Sequence, residues 1–482
     1  MSLFSSIIAP LRGVFGTAYD AANPTRDRRT PDLIVTDARN ELAAWNRLRL
    51  ISTTRSLVRN YGFAREQVNA MEMYAVGDGI MPQPSSPNPE WNAVAEKFFT
   101  ESFASRPETT GRFTFGKLTR LVCRALDTDG EIFFVKRLDA SGLPRLQTFE
   151  AHRISGRHDV SAGIFDGIEF DASGAPKAYY FLSDDGSEVR VAAEHVIHVF
   201  VAERASDAHG VPQIQHAINA LLDTRELLAI EKKSVKLTND MTFAITSEKN
   251  ELGAASGDFV FSDAPAEATD PDAFKRVIGG GKIGKLAPGE KIEALNPQRP
   301  SPTFTGFLDA NLRDASLGNV PYEFVSDSSK IAGAGVRLIV GRAARVFSRR
   351  QQELIEMFLA PCWRFVIGAA IAAGRLPAQE DWTRAEWACP KSVTVDAGRE
   401  AAQDRADVEG GFLSLSDYYA ARGLKYKDEV RRIAADLKLA AETAREFGVP
   451  PDAVFSKLKF AEHRQARESG SIPPRAGVSQ TQ

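Results

Sequence analysis

The spacing of apolar residues changes twice along this chain, and this change restricts the fold more than any single motif does. From Asp37 to Ala75, apolar residues such as Leu42 and Trp45 recur every three to four positions, which predicts helix. From Gly130 to Phe200 the period falls to two, in short runs separated by turn signals, which predicts a meander of strands. Helical spacing returns at Pro212. The chain is therefore predicted to be an α+β protein.

The helical periods set approximate bounds for each helix. Asp37 is expected to cap the first helix, and Pro212 is expected at the first position of the fourth. Helices are predicted at about 37–75, 91–103, 115–126, 212–238, 301–318, 336–373, 396–408, 416–422 and 427–447.

A segment with opposite blocks of charge separates the fourth and fifth predicted helices. Residues 251–272 contain six acidic side chains and no basic one, whereas residues 275–299 contain six basic and two acidic ones. Opposite blocks in one small unit can pair head to tail between copies of a chain. We therefore expect a contact between subunits here, made by Lys282, Lys285 and Lys291.

Composition restricts the class of protein. The 482 residues carry a net charge of −3, which argues against a general electrostatic nucleic-acid binder. The three cysteines are far apart and odd in number, so the sequence favours a reducing compartment and excludes a disulfide framework. Residues 357–374 are apolar enough to suggest a membrane helix, but they contain Arg364. We expect a buried helix in a soluble protein instead.

The motifs that suggest enzyme or metal chemistry are incomplete. Residues 279–286 fit a phosphate-binding loop except that Leu286 stands where Ser or Thr should bind magnesium. His195 and His198 lie in a strand pattern, which places them on opposite sides. Residues 127–131 resemble a calcium loop without the rest of its spacing. We expect no catalytic residue, cofactor or metal.

A group of arginines is the remaining candidate for a binding surface. Arg342, Arg345 and Arg349 share one face of a predicted helix, within a stretch that contains no acid. Two interpretations stay open: a solvated or inter-subunit face, or a surface that contacts phosphates. The same stretch also contains Arg337 and Arg350.

Segments spread over about residues 30–450 resemble, in one order, those of a known family. They are ARNELAAWNRLRLISTTRSLVRNYGFAREQVNAMEMYAVGDGI, FTFGKLTRLVCRALDTDGEIFF, FEAHRISG, GIEFDASGAPKAYYF, HVIHVFVAERASDAHGVPQIQHAI, PSPTFTGFLDANLRDASLGNVPYEFVSD and LSLSDYYAARG. Together they resemble the portal proteins of tailed bacteriophages, of the lambda-type family. The family's Tyr-Ser-Ser-Ala-Arg run is replaced here by SKIAGAGVR, in which only Arg337 matches.

The resemblance implies a portal fold and a place for each segment in it. It implies a ring, typically of twelve subunits, at the unique capsid vertex. The implied parts are an N-terminal arm (1–35), an α/β wing (36–211), a stem helix (212–238), a clip (239–300), a second stem helix (301–318), a tunnel loop (319–335), a wing helix with linker (336–395), a helical crown (396–450) and a disordered tail (451–482).

The resemblance also implies partners and a DNA-facing surface. Double-stranded DNA would pass through the channel during packaging and ejection, and the partners would be the terminase large subunit, the major capsid protein and a head-tail adaptor. The protein would assemble in the host cytoplasm and reside in the virion. Alternatives are a phosphate-loop packaging enzyme, or a capsid or tail protein without a DNA channel. The implied channel-facing residues are Glu323, Ser326, Asp327, Ser328, Ser329, Lys330, Arg342, Arg345 and Arg349.

Deleting residues 1–30 is expected to leave the melting temperature of the full chain almost unchanged, because this segment contains no periodic apolar face. Differential scanning calorimetry of the truncated and full chains measures the effect. A loss of soluble protein on truncation would mean that Leu3, Phe4, Ile7 and Ile8 pack onto the core.

Overall fold

The structure is a computed structural model of the chain. It describes residues 35–240, 243–247, 290–294, 302–326, 334–390, 393, 397–420, 422, 424 and 426–448. The predictions for the N-terminal arm, for residues 279–286, for Lys282 and Lys285, for residues 327–330 and for the tail 451–482 lie outside these residues.

Helices account for most of the described residues. Asn88 caps the fourth helix by accepting the backbone N–H groups of Glu90 and Trp91. The helices are α1 (Ala38–Glu41), α2 (Ala44–Asn60), α3 (Gly62–Ala75), α4 (Pro89–Phe98), α5 (Phe115–Thr128), α6 (Ile218–Asp240), α7 (Pro302–Ala315), α8 (Tyr322–Val325), α9 (Ala334–Leu354), α10 (Ala360–Ala372), α11 (Ala397–Glu409), α12 (Leu415–Ala420) and α13 (Tyr426–Glu446).

The strands form small antiparallel sheets. One sheet has the order β3-β2-β8 and another β4-β5-β6-β7, while β1 pairs with β11 and β9 with β10. The strands are β1 (Met81–Pro84), β2 (Glu131–Leu138), β3 (Pro144–Glu150), β4 (Ile164–Phe165), β5 (Ile168–Phe170), β6 (Pro176–Leu182), β7 (Glu188–Ala192), β8 (Val196–Phe200), β9 (Phe243–Ser247), β10 (Glu290–Ala294) and β11 (Ala385–Ala388).

The largest core forms around the long helix made by α9, a wider π turn (Ile355–Leu359) and α10. Phe358 and Trp363 of this helix are fully buried, against Phe115 of α5 and against Phe99 of the π-helical segment Phe99–Ala104 that follows α4. The segment from Gly335 to Ala372 is long and apolar enough to cross a membrane by length and composition alone. Phe358 and Trp363 of this segment are nevertheless fully buried in the core, which agrees with a helix packed inside the protein.

Strand β2 is buried on both faces because it lies between two cores. Successive side chains of a strand point to opposite faces, and here Phe134 enters the largest core while Phe133 enters a core formed by the β4–β7 sheet. This accounts for the continuous apolar run IFFV, which has no polar face. A third core joins α2 and α3 to the start of α6 and the end of α7.

Several predicted boundaries are wrong. The helix predicted over 37–75 is divided into three, and the Asp37 side chain binds Arg39 instead of capping α1. The helix predicted from Pro212 begins at Ile218, after a 3₁₀ turn. The predicted meander is two separate sheets, because β8 returns to pair with β2. Strands β1 and β11 were not predicted.

The first part of the segment predicted as the tunnel loop has regular structure and buried side chains. Residues 319–326 are a turn followed by α8, and Val320 and Tyr322 are buried in two different cores. Phe324 packs against Tyr74 and Phe347. This part of the predicted loop is therefore held to the body of the protein by apolar contacts.

Gly130 lies where two backbone segments touch. Its φ is +85°, and a Cβ atom placed on it would lie 2.3 Å from the carbonyl carbon of Val211. The contact holds the segment that leads to α6 against the end of α5, where the Gln213 N–H donates to the Leu126 carbonyl at 3.1 Å. A side chain at residue 130 would push these segments apart.

We expect Gly130→Ala to lower the free energy of unfolding by roughly 1–3 kcal/mol more than Gly174→Ala does. Gly174 is the matched control because its φ is also +85° while a Cβ there meets no atom within 4 Å. Urea unfolding followed by tryptophan fluorescence measures both variants. Equal losses would show that the approach of Val211 is unimportant for stability.

Candidate DNA-facing surface and buried ionic cluster

Arg342, Arg345 and Arg349 lie on the exposed face of α9, as the helical spacing predicts. Arg349 donates to Glu353 at 2.9 Å, so its charge is partly neutralised. Within the described part of the chain, no ion pair is formed by Arg342 or Arg345. Two exposed positive charges therefore remain on this face, about one helical turn apart.

The opposite face of α9 anchors the helix. Arg350 is 5% exposed and donates to Asp127 at 2.9 Å and to the Cys123 carbonyl at 3.3 Å, both on α5. Burial raises the pKa of Asp127, and the guanidinium opposes this change. Arg350 is thus a structural residue, while its neighbours in the arginine group face outward.

Glu323 and Ser326, two of the residues predicted to face the channel, lie in different surroundings near α8. Glu323 forms an ion pair with Arg313 of α7, whose guanidinium also lies 4.8 Å from the centre of the Tyr322 ring. Glu323 is therefore paired within its own chain, and its place among the channel-facing side chains stays a prediction. Ser326 is exposed at the end of α8, and Lys291 lies on strand β10.

The structure contains a buried ionic cluster that the sequence analysis missed. Glu131, at the start of β2, is fully buried and lies 3.0 Å from His198 Nε2 and 3.0 Å from His209 Nδ1. The Gly210 N–H and Arg47 Nη1 also donate to this carboxylate, at 3.2 Å and 3.3 Å. Its two oxygens therefore meet four donor groups.

His209 faces an acceptor at each ring nitrogen. Its Nε2 lies 2.9 Å from the carbonyl oxygen of Asp166, and its Nδ1 faces Glu131. Each ring nitrogen thus lies within hydrogen-bond distance of an oxygen, which fixes the orientation of the ring. Arg47 donates to the Asp166 carboxylate at 2.7 Å. Arg47, the two carboxylates and the two imidazoles thus form one connected network in the protein interior.

The same side chains include a possible set of metal ligands. One ligand atom from each of Glu131, His198 and His209 lies within 4.8 Å of the others. The Glu131 carboxylate, however, already contacts both imidazoles and accepts hydrogen bonds from Arg47 and from the Gly210 N–H. His195, the other member of the sequence pair, is largely exposed and contacts Glu194 instead. The geometry therefore fits an ion-pair cluster better than a metal site.

The cluster could have been found from two sequence signals. Glu131 is a charged residue at the start of an apolar strand, and period-two alternation places His198 on an inward-facing position. Glu131, His198 and His209 also lie in the DGE, VIH and HGVP segments that carry the family resemblance. What the sequence lacks is the distance information that brings these segments together.

We expect acid to destabilise the protein through this cluster. Burial lowers the pKa of His198, so its contribution to stability is complete above the unfolded value of about 6.5 and is lost as pH falls below it. Burial alone would raise the pKa of Glu131, but His209 and His198 lower it far below its usual range. Its contribution is therefore lost only at lower pH, below about 4.3.

Urea unfolding at pH 7, 6 and 5 measures this effect. The expected loss from His198 is up to about 1.4 kcal/mol per pH unit, and His198→Gln should remove it. The exposed His195→Gln is the control and should behave as the unaltered chain does. An unchanged slope in His198→Gln would contradict the assignment of a neutral His198.

Comparisons with known proteins were made for the whole chain. No curated protein matches it significantly. The virion of a native gene transfer agent (GTA) particle contains a similar chain, with 16% identity, TM-score 0.49, and coverage of 80% of this chain and 97% of that one. A chain from the neck of an empty GTA particle computed with C6 symmetry is 16% identical, with a TM-score of 0.49. The match covers 78% of this chain and 93% of that one. A chain from the neck of a native GTA particle computed with C12 symmetry is 17% identical, with a TM-score of 0.47. The match covers 79% of this chain and 94% of that one.

A protein-family model also matches this chain. Residues 26–351 match the family model described as phage portal protein, lambda family. This range is more than half of the chain. It includes the buried ionic cluster, the β3-β2-β8 sheet, the β4-β5-β6-β7 sheet and most of α9. The chain belongs to the lambda family of phage portal proteins.

Proposed function

We propose that this portal protein forms a ring around a channel through which double-stranded DNA enters and leaves the capsid. The observation that carries the proposal is the exposed pair Arg342 and Arg345 on a helix whose other face is anchored by Arg350. A fixed helix can hold positive charges at a defined place on a channel wall. Since the whole chain has a net charge of −3, these contacts would be local and would not trap the DNA.

The two helices α6 and α7 support the ring. Helix α6 has 23 residues, so it is about 35 Å long. Asn311 of α7 donates to the Ala220 carbonyl of α6 at 3.1 Å, which joins the pair near its base. Leu222, Ile230 and Phe307 of the pair remain exposed. Neighbouring copies would cover these apolar side chains, and the pair would then be the stem of the portal.

The remaining assignments follow from the same proposal. Residues 36–211 would be the wing, completed by the wing helix and linker at 336–395. Strands β9 and β10 would belong to the clip, and α11–α13 would form the crown. Lys282, Lys285 and Lys291 would contribute to contacts between clips. The terminase large subunit, the major capsid protein and a head-tail adaptor would bind the outer surfaces in the virion vertex, and the protein itself would act without catalysis.

Negative-stain electron microscopy of the purified full chain tests the ring directly. We expect rings, of twelve subunits by the resemblance to portals, with a central hole wide enough for a DNA duplex. Particles without such a hole would favour a capsid or tail protein that has no DNA channel.

We expect Arg342→Gln/Arg345→Gln to form normal rings but to weaken DNA retention in filled heads. Each lost phosphate contact should reduce the slope of log binding constant against log salt by about 0.9. Arg59→Gln/Arg65→Gln removes the same charge from exposed positions of α2 and α3 and is the control. DNA content of purified heads, measured at several salt concentrations, distinguishes them. Equal losses in the two variants would assign the effect to overall charge.

A further inference from the structure

A cavity of about 580 Å³ opens between α2, α3, α5 and the adjoining parts of β2 and β3. Its volume lies within the range of about 300–1,000 Å³ that is usual for ligand sites in proteins. The apolar part of its lining consists of Val58, Phe113, Leu118, Leu121, Ala125 and Ile132. The proposed ring and the DNA-facing surface leave this cavity without a role.

Charged side chains surround the apolar lining, and positive charge is in excess. The lining contains four arginines and two acids: Arg55, Arg59, Arg65, Arg124, Asp129 and Glu150. Both acids contact Arg55, at 2.6 Å for Asp129 and 2.9 Å for Glu150. The side chains of Arg59 and Arg65 are exposed and form no ion pair or hydrogen bond with the described residues. The excess charge therefore resides on these two arginines.

Arg59 and Arg65 lie on either side of the junction between α2 and α3, which is firmly packed. Leu57 and Val58 before the junction, and Ala64 after it, are buried in the core that joins these helices to α6 and α7. The two guanidinium groups are therefore attached to a fixed backbone beside the cavity. A ligand would meet them without first ordering a loop.

A smaller hollow of about 290 Å³ adjoins the cavity along α2. The two hollows share Arg55 and Arg59, and the smaller one adds the hydroxyl groups of Ser52 and Ser56. Along α2 the combined surface extends from Leu48 to Arg59, which is roughly 17 Å at 1.5 Å per residue. An extended peptide covers that length with about five residues.

The geometry points to a docking site for an acidic peptide segment of a partner protein that carries one large apolar side chain. The apolar side chain would fill the larger hollow, and carboxylates beside it would pair with Arg59 and Arg65. A purely polar anion, such as a nucleic-acid phosphate, would leave the apolar lining in water. A neutral apolar ligand would leave the two arginines unused. All lining residues come from one copy of the chain, so the site does not depend on the proposed ring.

Fluorescence anisotropy of a labelled peptide, Asp-Glu-Phe-Glu-Asp, tests the site on the purified full chain. We expect saturable binding that weakens as salt rises, because part of the attraction is between charges. Arg59→Gln/Arg65→Gln should weaken it about tenfold, since two exposed ion pairs are lost. Lys97→Gln/Arg364→Gln removes the same charge from exposed positions outside both hollows and is the control.

The apolar requirement is tested with a second peptide, in which glycine replaces phenylalanine. It should bind the unaltered chain about tenfold more weakly or worse, because no ring is buried. Leu121→Trp fills the larger hollow and should weaken the phenylalanine peptide in the same way. Leu138→Trp is the control, because Leu138 is 61% exposed and lines neither hollow. Circular dichroism checks that each variant keeps its helices.

The outcomes separate this inference from the proposed function. Absence of saturable binding, or equal weakening by the two charge variants, would overturn the site. Binding that persists without phenylalanine and in Leu121→Trp would show attraction by charge alone and would also overturn it. If dodecanoate or an oligonucleotide binds at Arg59 and Arg65 more tightly than the peptide, the assignment to a peptide is wrong. The ring is measured separately by electron microscopy, so each of these results leaves it standing.

DNA retention gives an independent check on where the site acts. Among the described residues, none from α9 lines either hollow. Heads made with Arg59→Gln/Arg65→Gln should therefore retain DNA normally while the isolated protein loses the peptide. Loss of DNA in these heads would place Arg59 and Arg65 in a DNA contact and contradict the peptide site.

Discussion

Glu131 is a fully buried carboxylate, and the part of the structure between α2 and α6 depends on how its charge is satisfied. Its donors come from α2, from strand β8 and from the segment that precedes α6. Removing one member of such a cluster leaves an uncompensated buried charge, which costs roughly 3–5 kcal/mol. The cluster thus connects, through one carboxylate, elements that lie up to 84 residues from Glu131 along the chain. Apolar contacts alone would not specify this arrangement so narrowly, because they are not directional.

The long helix α9–α10 divides two tasks between its faces. Arg350 and the buried aromatic side chains of one face are committed to the core, whereas Arg342 and Arg345 of the other face remain available to a partner. The buried Asp127 pairs with Arg350, so removing either residue would leave an unpaired charge inside the protein. A surface that contacts DNA benefits from this anchoring, since its positive charges are held at fixed positions. Helix α6 is divided in a similar way, because its first turn is packed in a core while Leu222 and Ile230 are exposed.

The helices could be predicted from the sequence because their signal is local. The predicted span 336–373 agrees with the continuous helix 334–372, and the outward position of Arg342 follows from the 3.6-residue period alone. The strands of β2 and β8 were also found locally, but their pairing was not, since hydrogen-bonded neighbours are chosen by the tertiary fold. Glu323 shows the same limit: the sequence gives no signal that Arg313, ten residues earlier, is its ion-pair partner.

The sequence by itself determined the α+β class, most helices, the family and the outward face of α9, because these depend on local spacing and on the order of segments. Only the tertiary structure decided that Glu131, His198 and His209 meet, that β8 returns to β2, and that Val320 and Tyr322 hold the supposed loop to the core. The sequence around one side chain does not identify the residue that it contacts from a distant part of the chain. The distances between segments are set only when their apolar faces are buried together. A charge enclosed by that burial is then stable only beside an opposite charge.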